Sequence, residues 1–240
     1  MAKFIDETGL AHLIEKNDAR YVRQVEGKGL STNDFSDAYK KIVDDLNYVK
    51  IAVSNMSATN STNEIGSTVT ESTVTWKLNK TPKTLKIKFS TDAEETLDVA
   101  ATSKAFTGKN VTSNANILLT ATDERDATAT RQVTLSFMPK VYWGVSDGTT
   151  YDDAVLLALE GNALTTGRGR TINVNAEAGK YIVYAMPVSF GTPTFNVGGF
   201  DGGFKKIAII EHTNASGYKQ DYDVWQSVNA GLGQTAVVIK

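Results

Sequence analysis

The stretch TVTWKLNKTPKTLKIKF, residues 73–89, decides the fold class of this chain. Apolar residues occupy every second position from Val74 to Leu78 and again from Leu85 to Phe89, on either side of the turn-forming segment NKTPK. A period of two places alternate side chains on opposite faces of a β-strand. We therefore predict two half-buried strands of an antiparallel sandwich, with a turn between them.

Further runs of the same kind continue to about Pro139. Alternating apolar residues recur around Leu97 and Val99, around Ile117 and around Leu135, with turn formers such as TGKN between them. Short strands at a spacing of roughly ten residues predict an immunoglobulin-like β-sandwich, which we assign to residues 59–140. The polar segment SATNSTNEIGST before it is interpreted as a linker or first loop.

Residues 141–240 are also β-rich but contain more glycine and aromatic residues. Strand-like runs such as KYIVYAM and FKKIAII are separated by GGFDGGF and NAGLG, where we expect turns with positive φ. The segment YDDAVLLALEGNAL instead predicts a short helix, capped by Asp152 or Asp153 and stopped at Gly161. The whole is expected to form a second antiparallel sandwich or a jelly-roll-like domain.

The chain before residue 57 has a helical pattern, so the predicted fold class is mainly β with N-terminal helices. Leu10, Leu13 and Ile14 have helical spacing within a predicted helical segment over residues 1–30. After a glycine break, STNDF offers N-cap residues for a second helix, and we assign residues 31–58 to a short coiled coil.

The coiled-coil prediction depends on apolar residues that recur in steps of four and three. These are Phe35, Tyr39, Ile42, Leu46, Val49, Val53 and Met56. Such a narrow seam over about three heptads predicts packing against copies of the same chain. Its aromatic and β-branched residues favour a homotrimer over a dimer. A short helix packed on its own domain remains an alternative, because the stripe is near the minimum length for the signal.

Composition excludes several classes of protein. The 240-residue chain has no cysteine, which removes disulfides and thiolate metal sites. Its net charge is −2, and no segment concentrates basic residues. We therefore expect no nucleic acid partner. No apolar run is long enough for membrane insertion, and the start MAKFIDETGL lacks a signal-peptide pattern, so we expect synthesis in a cytoplasm.

No catalytic motif is recognisable, and we predict a non-enzymatic protein without a cofactor or metal. The two histidines, His12 and His212, have no partner at metal or general-base spacing and are interpreted as surface residues. Asp147, Asp152 and Asp153 could serve as acids or hold calcium, but they lack the dense spacing of a calcium loop.

The candidate ligand contacts lie in the last third of the chain. Asp221 and Asp223 share a strand face with Trp225, which suits sugar binding, and a polysaccharide depolymerase using Asp221 or Asp153 stays open as a rival. Arg168 and Arg170 in GRGR could pair with an anion. The many aromatic residues here suit either sugar stacking or a β core.

Several segments resemble bacteriophage tail-fibre, head-fibre and minor virion structural proteins. DARYVRQVEGKGLSTNDFSDAYKKIVDDL is similar to a segment that precedes a short trimeric coiled coil in that family. TVTWKLNKTPKTLKI and ILLTATDERDATATRQVTLSF look like virion immunoglobulin-like repeats, and TFNVGGFDGGF with YDVWQSVNAGLGQTAVVI is similar to the C-terminal domains. The matches cover most of the chain and contain no catalytic motif.

The resemblance implies a short virion appendage on the tail, baseplate or head. Its N-terminal helix would bind other virion proteins, and its C-terminal domain, residues 141–240, would form the outward tip. Separately from the resemblance, a host cell-surface glycan is a candidate external partner of this domain. A dedicated carbohydrate-binding or receptor-binding protein is the alternative function.

Overall fold

The computed structural model describes residues 6–20 and 37–240, and these residues form two units. The first unit, Met1–Val49, contains helices α1 (Glu7–Arg20) and α2 (Asp37–Asn47). The second unit, Lys50–Lys240, contains the strands, so the predicted mainly β fold class is confirmed. In α1, the carboxylate of Asp6 accepts a hydrogen bond from the Gly9 N–H at 2.8 Å, as expected of an N-cap.

The predicted coiled-coil helix is wrong beyond Asn47. Helix α2 ends there, and Val53 and Met56 instead belong to strand β1 (Val53–Ala58), where they pack half-buried against the core of the first sandwich. The predicted domain boundary at residue 58 is therefore also wrong. Val49 lies between helix and strand, and Phe35 lies outside the described residues.

The helix ends because the sandwich binds the backbone that follows it. The Ile51 N–H donates to the Asp123 carboxylate at 3.1 Å. The Asn79 side chain accepts from the Ala52 N–H at 2.8 Å and donates to the Lys50 carbonyl at 2.9 Å. Ile51 is also buried in the core. These contacts supply hydrogen-bond partners to the extended backbone of residues 50–52 and bury the Ile51 side chain. A helix continued into solvent would bury no such apolar area.

The first sandwich has one three-stranded and one five-stranded sheet, ordered β1-β3-β6 and β2-β8-β7-β4-β5. Its pairs are antiparallel except for β2 and β8, which run parallel. The segment predicted as a linker contains β2. The first two strands therefore lie in different sheets, β1 in the three-stranded and β2 in the five-stranded sheet, and the strand order is immunoglobulin-like. The strands after β1 are β2 (Thr62–Glu64), β3 (Ser72–Leu78), β4 (Thr84–Phe89), β5 (Glu95–Leu97), β6 (Ser103–Phe106), β7 (Ala115–Thr122) and β8 (Thr128–Met138).

The core of this sandwich contains the alternating residues identified in the sequence. Burial alternates along β3, β4 and β7, as the period of two predicts. Val99 is an exception, because β5 ends before it and its side chain is exposed. The core residues include Val74, Trp76, Leu85, Ile87, Phe89, Ile117, Leu119 and Leu135.

The second sandwich has a five-stranded sheet, β10-β9-β12-β16-β15, and a four-stranded sheet, β11-β17-β13-β14. A short helix, α3 (Asp153–Ala158), covers the outer face of the five-stranded sheet. The strands are β9 (Lys140–Ser146), β10 (Gly161–Leu164), β11 (Arg170–Ala176), β12 (Tyr181–Pro187), β13 (Phe195–Val197), β14 (Phe200–Asp201), β15 (Phe204–Thr213), β16 (Lys219–Ser227) and β17 (Gly233–Ile239).

Strand β12, in the middle of the five-stranded sheet, is buried on both faces. Tyr184 and Met186 of β12 face the four-stranded sheet, whereas Val183 and Ala185 join Leu156 of α3 on the other side. A strand covered on both faces has a nearly continuous apolar sequence, which explains the run IVYAM in β12.

Helix α3 confirms one predicted cap. The Asp152 carboxylate accepts from the Val155 N–H at 3.0 Å and is the N-cap. Gly161, predicted as the helix stop, is instead the first residue of β10. A Cβ at this position would overlap the Trp143 indole on the paired strand, so close strand packing requires the glycine.

Candidate functional site

The two sandwiches are held together by a set of polar and packing contacts. Pro139 alone separates β8 from β9, in agreement with its predicted place at the end of the first sandwich. Lys140 Nζ lies 2.9 Å from Glu64 Oε2, and the Asn214 side chain donates to the Ile65 carbonyl at 2.6 Å. These contacts place the turn between β15 and β16 against the first sandwich.

Gly66 completes this junction, which we call the joint (Glu64, Ile65, Gly66, Lys140, Asn214 and Tyr218). Gly66 has a φ of 86°, a region that favours glycine. A Cβ there would also overlap the Cβ of Tyr218. Both the backbone conformation and the close approach therefore require glycine at this point.

The end of the second sandwich remote from the joint carries a glycine-rich hairpin. Strand β15 has ten residues, so its first residue lies about 30 Å from the joint at roughly 3.4 Å per residue. Residues 195–204, which we call the tip hairpin, end at that first residue, Phe204. The Val228 N–H donates to the Gly203 carbonyl at 2.8 Å and ties the next loop to the hairpin.

Aromatic packing anchors the base of the tip hairpin. The buried ring of Phe195 stacks on Phe204 with centroids 4.2 Å apart and planes 8° apart. Phe195 also contacts Trp225 at 5.5 Å and the edge of Tyr184 at 6.2 Å between centroids. Offset and edge contacts of this kind add stability to burial alone, so the base is fixed.

The turn of the tip hairpin is fixed by side-chain hydrogen bonds. Gly198 and Gly199 have φ values of 58° and 97°, which confirms the predicted positive-φ turn. The Gly199 N–H donates to Asn196 Oδ1 at 3.1 Å, and Asn196 Nδ2 donates to Asp201 Oδ1 at 2.7 Å. Asn196 thus binds both the turn and the paired residue of the next strand.

Phe200 is the exposed aromatic residue of this hairpin. It lies opposite Val197 on the edge strand β14, and 81% of its surface is exposed. Around it, a Cβ added at Gly198, Gly199 or Gly202 would meet no atom within 4 Å. A bulky apolar side chain is therefore displayed on a fixed scaffold beside uncovered backbone.

The predicted contacts on β16 do not form an open site. Asp221 is exposed, but Asp223 is buried and lies 2.6 Å from Lys206 Nζ. The Trp225 ring is half-buried against Phe195. The two acids therefore have different surroundings, and the tryptophan contributes to the core.

The predicted arginine pair is engaged in contacts within the fold. Arg168 donates from Nε to the Lys240 carbonyl at 3.0 Å and from Nη1 to the Phe190 carbonyl at 2.6 Å. Arg170 lies over the Trp143 ring, with 4.6 Å between the guanidinium carbon and the ring centroid. Two backbone bonds thus hold Arg168, and a cation–π contact holds Arg170, whose buried Nε has no hydrogen-bond partner among the described residues.

The interpretation of His212 as a surface residue is wrong. The side chain is buried, with Nδ1 2.8 Å from Asp153 Oδ1 and Nε2 3.1 Å from the Tyr142 hydroxyl. Asp153 also accepts from the Thr213 N–H at 3.0 Å. Through these bonds His212 connects β15 to α3 and to β9. His12 lies on the exposed surface of α1.

The tyrosines beside His212 are neutral hydrogen-bonding groups. Burial raises the pKa of Tyr142 to about 12, and the negative charges of Glu64 and Asp153 act in the same direction. Burial also raises the pKa of Tyr222, whose hydroxyl donates to the Lys140 carbonyl at 2.7 Å. This cluster stabilises the sandwich next to the joint.

The predicted acid group of residues 147–153 is divided among separate tasks. Asp147 pairs with Lys180, Asp152 caps α3, and Asp153 binds His212. Within residues 6–20 and 37–240, no three His, Cys, Asp or Glu side chains gather closely enough to hold a metal ion.

A second candidate surface is the apolar stripe of α2. Tyr39, Ile42, Val43 and Leu46 follow each other at helical spacing, and all are exposed, Leu46 to 80%. The stripe keeps the predicted seam residues Tyr39, Ile42 and Leu46, but it is shorter than predicted. On α1, Leu10, Leu13 and Ile14 are exposed in the same way.

Comparisons with known proteins leave the family open. No protein-family model and no curated protein matches the chain. A chitinase from Bacillus thuringiensis shares 10% identity over 78% of this chain with a TM-score of 0.26, and an α-L-rhamnosidase from Dictyoglumus thermophilum shares 7% over 80% with a TM-score of 0.28. The chain spans only 26% and 27% of those two structures. Among the described helices, none is long and apolar enough to span a membrane.

Phe200 is the candidate contact that the sequence interpretation missed. The signal was present in GGFDGGF, where glycine pairs flank one aromatic residue. Glycine has no side chain, so it cannot cover a neighbouring ring, and a ring between two such pairs is left to solvent unless another element covers it.

Proposed function

We propose that the chain is a non-enzymatic structural subunit of a bacteriophage virion. It would form a short fibre or appendage on the tail, baseplate or head, assembled as a homotrimer through α2, with two joined β-sandwiches displayed outward. The observation that carries this proposal is the exposed apolar stripe of α2. The sequence resemblance to phage virion proteins supports the same role.

The stripe supports assembly because α2 cannot be stable in isolation. It has 11 residues, and helices shorter than about 12–15 residues are marginal in water without tertiary packing. Full burial of a large apolar side chain stabilises by roughly 1.5–3 kcal/mol, so covering Ile42 and Leu46 in each copy would contribute substantially. Copies of the chain can supply that cover reciprocally, as in a coiled coil.

The rest of the chain suits display and attachment. The joint fixes the second sandwich, so its remote end is held at a defined place relative to the first sandwich. Several weak contacts linked in one assembly bind far more tightly than one alone. The exposed apolar residues of α1 give a docking face for other virion proteins.

Light scattering of the purified full chain tests this proposal. We expect a mass of three chains for the native protein and of one chain for the double variant Ile42→Asp, Leu46→Asp. The matched control Lys40→Ser changes an exposed residue of the same helix and should remain trimeric. A native chain that is monomeric at micromolar concentration would overturn the assembly proposal.

A dedicated receptor-binding protein is the second candidate, and the display of Phe200 favours it. The depolymerase alternative has less support, because it needs two carboxylates: Asp153 is engaged with His212, and Asp223, the neighbour of the exposed Asp221 on β16, is paired with Lys206. We expect no release of reducing ends from host cell-wall polysaccharide. Activity that disappears in Asp221→Asn or Asp153→Asn would instead support the enzyme.

A further inference from the structure

We infer that the tip hairpin is a saccharide-contact site. Phe200 would stack on the C–H face of a pyranose, while neighbouring backbone groups and Asp201 bind its hydroxyl groups. This inference deepens the proposed function, because it names the ligand class of the outward end. It rests on the proposed function only in one respect, namely that an assembly of several chains would combine several weak saccharide contacts.

The hairpin is organised before a ligand arrives. The aromatic base and the bonds among Asn196, Gly199 and Asp201 hold the strands that carry Phe200. Two side-chain torsions are then nearly all that binding must order. Such preorganisation lowers the entropic cost of a contact, which matters most when the contact area is small.

The size of the apolar surface favours a sugar over a protein partner. A phenylalanine side chain can bury roughly 150–250 Å². The neighbouring loop adds Val228, which is half exposed. A stable protein interface needs about 800 Å² on each partner, several times this apolar area. One pyranose face, by contrast, is similar in size to one aromatic ring.

The polar groups around Phe200 suit an uncharged ligand. Gly198, Gly199 and Gly202 leave their backbone uncovered by side chains. Asp201 is the one charged residue in the sequence of residues 195–204. Among the described residues, no hydrogen bond involves its second carboxylate oxygen, which can accept from a hydroxyl group. No cationic side chain of the hairpin would favour an acidic sugar.

Saturation-transfer NMR on the full chain tests this site directly. The probes are the methyl glycosides of glucose, galactose, mannose and N-acetylglucosamine, each at about 0.1 mM, roughly tenfold below a Kd of 1 mM, so that the signal is proportional to affinity. We expect saturation of ring C–H protons for at least one glycoside. In Phe200→Ala the signal should fall about fivefold or more, the loss of one aromatic contact.

Two further variants make the assignment specific. Phe200→Leu keeps an apolar side chain but removes the ring, and it should lose the signal as Phe200→Ala does. Val99→Ala changes an exposed apolar residue of the first sandwich and should keep it. Signal retained in Phe200→Ala or in Phe200→Leu would overturn the stacking contact.

Each remaining outcome also decides between the proposals. Saturation of none of the four glycosides would overturn the saccharide assignment and leave Phe200 to a protein partner. The NMR experiment reports on a single contact and needs no assembly. A monomer by light scattering with a Phe200-dependent signal would therefore refute the oligomeric subunit and preserve the site, and a trimer without signal would do the reverse.

Discussion

At the scale of single residues, Asp123 is a fully buried carboxylate that binds mainly backbone N–H groups. It accepts from Ile51 at 3.1 Å and from Arg125 and Ala127 at 3.0 Å, and Lys80 Nζ lies 3.3 Å away. A carboxylate can accept several such bonds at once, which compensates for the loss of its hydration. One side chain thereby connects the turn after β7 to the start of the second unit.

We predict that Asp123→Asn lowers the free energy of unfolding by about 2–4 kcal/mol, because it removes the charge and leaves buried donors poorly paired. The matched control is Asp126→Asn in the same turn. Asp126 is exposed and pairs with Lys83 at 2.6 Å, so its loss should change stability by less than about 1 kcal/mol. Urea unfolding of both variants measures this, and equal effects would contradict the prediction.

The buried tyrosines predict a loss of stability at high pH. Burial raises the pKa of Tyr142 and of Tyr184 to about 12, above the ordinary value of about 10. Between about pH 10 and 12 the unfolded chain therefore loses tyrosine protons that the folded chain retains. The unfolded state binds fewer protons there, so the free energy of unfolding falls as the pH rises.

Denaturant unfolding at a series of pH values measures this dependence. Tyr184→Phe should make the decline shallower, since one of the groups that titrate differently is removed. The cost of that variant below pH 10 should be constant with pH in this range, because the lost hydrogen bond to the Arg168 carbonyl does not titrate. An unchanged slope in the variant would count against the assignment to Tyr184.

At the scale of elements, the boundary between α2 and β1 shows why the seam was extended too far. Strand β1 has a β-bulge between Ser54 and Ser57, and Asn55 has a φ of 51°. A bulge adds one residue to a strand, so Val53 and Met56, three positions apart, both contact the core. A step of three is also a coiled-coil step, and the sequence pattern alone does not separate the two.

Substitutions on the two sides of this boundary should have different effects. Met56→Asp places a charge in a half-buried strand position and should lower the free energy of unfolding by about 1–3 kcal/mol. Leu46→Asp should leave that quantity nearly unchanged and weaken the assembly instead. Urea unfolding monitored by tryptophan fluorescence, together with light scattering, distinguishes the results. A destabilised sandwich in Leu46→Asp would be inconsistent with this division.

Other elements were predictable to the extent that local pattern decides them. The alternation in β3 and β4, the glycine turn at Gly198 and the Asp152 cap all depend on neighbouring residues, and the structure confirms them. The burial of His212 depends on a helix that comes some 60 positions earlier in the chain, at Asp153. Contacts between residues that are far apart in the sequence leave little local pattern from which to predict them.

The exposure of Phe200 belongs to the same class of feature. Turns at the flanking glycines were predicted, but whether a neighbouring element covers the ring depends on strand order. Strand β14 lies at the edge of the four-stranded sheet, which leaves Phe200 open. Trp225 has the opposite outcome, because its strand β16 lies inside the five-stranded sheet. Sheet order therefore decides which aromatic residue can contact a ligand.

At the scale of the whole molecule, the joint couples the two sandwiches. Its contacts come from both sides: Glu64 and Ile65 from the first sandwich, Lys140 and Asn214 from the second. With a single residue between β8 and β9, the sandwiches have little freedom to separate without breaking these bonds. We therefore expect one cooperative thermal transition for the second unit.

Gly66 gives the sharpest test of this coupling. Alanine at Gly66 would require an unfavourable φ of 86° and would also overlap Tyr218 across the joint. Gly108 is the matched control, since its φ is 66° but a Cβ there would meet no atom within 4 Å. Gly108→Ala should therefore cost only backbone strain, about 1 kcal/mol, within the first sandwich.

Gly66→Ala should open the joint and split the calorimetric transition into two, one for each sandwich. A single transition in Gly66→Ala, lowered no more than in Gly108→Ala, would mean that the sandwiches are coupled through Pro139 and not through the joint.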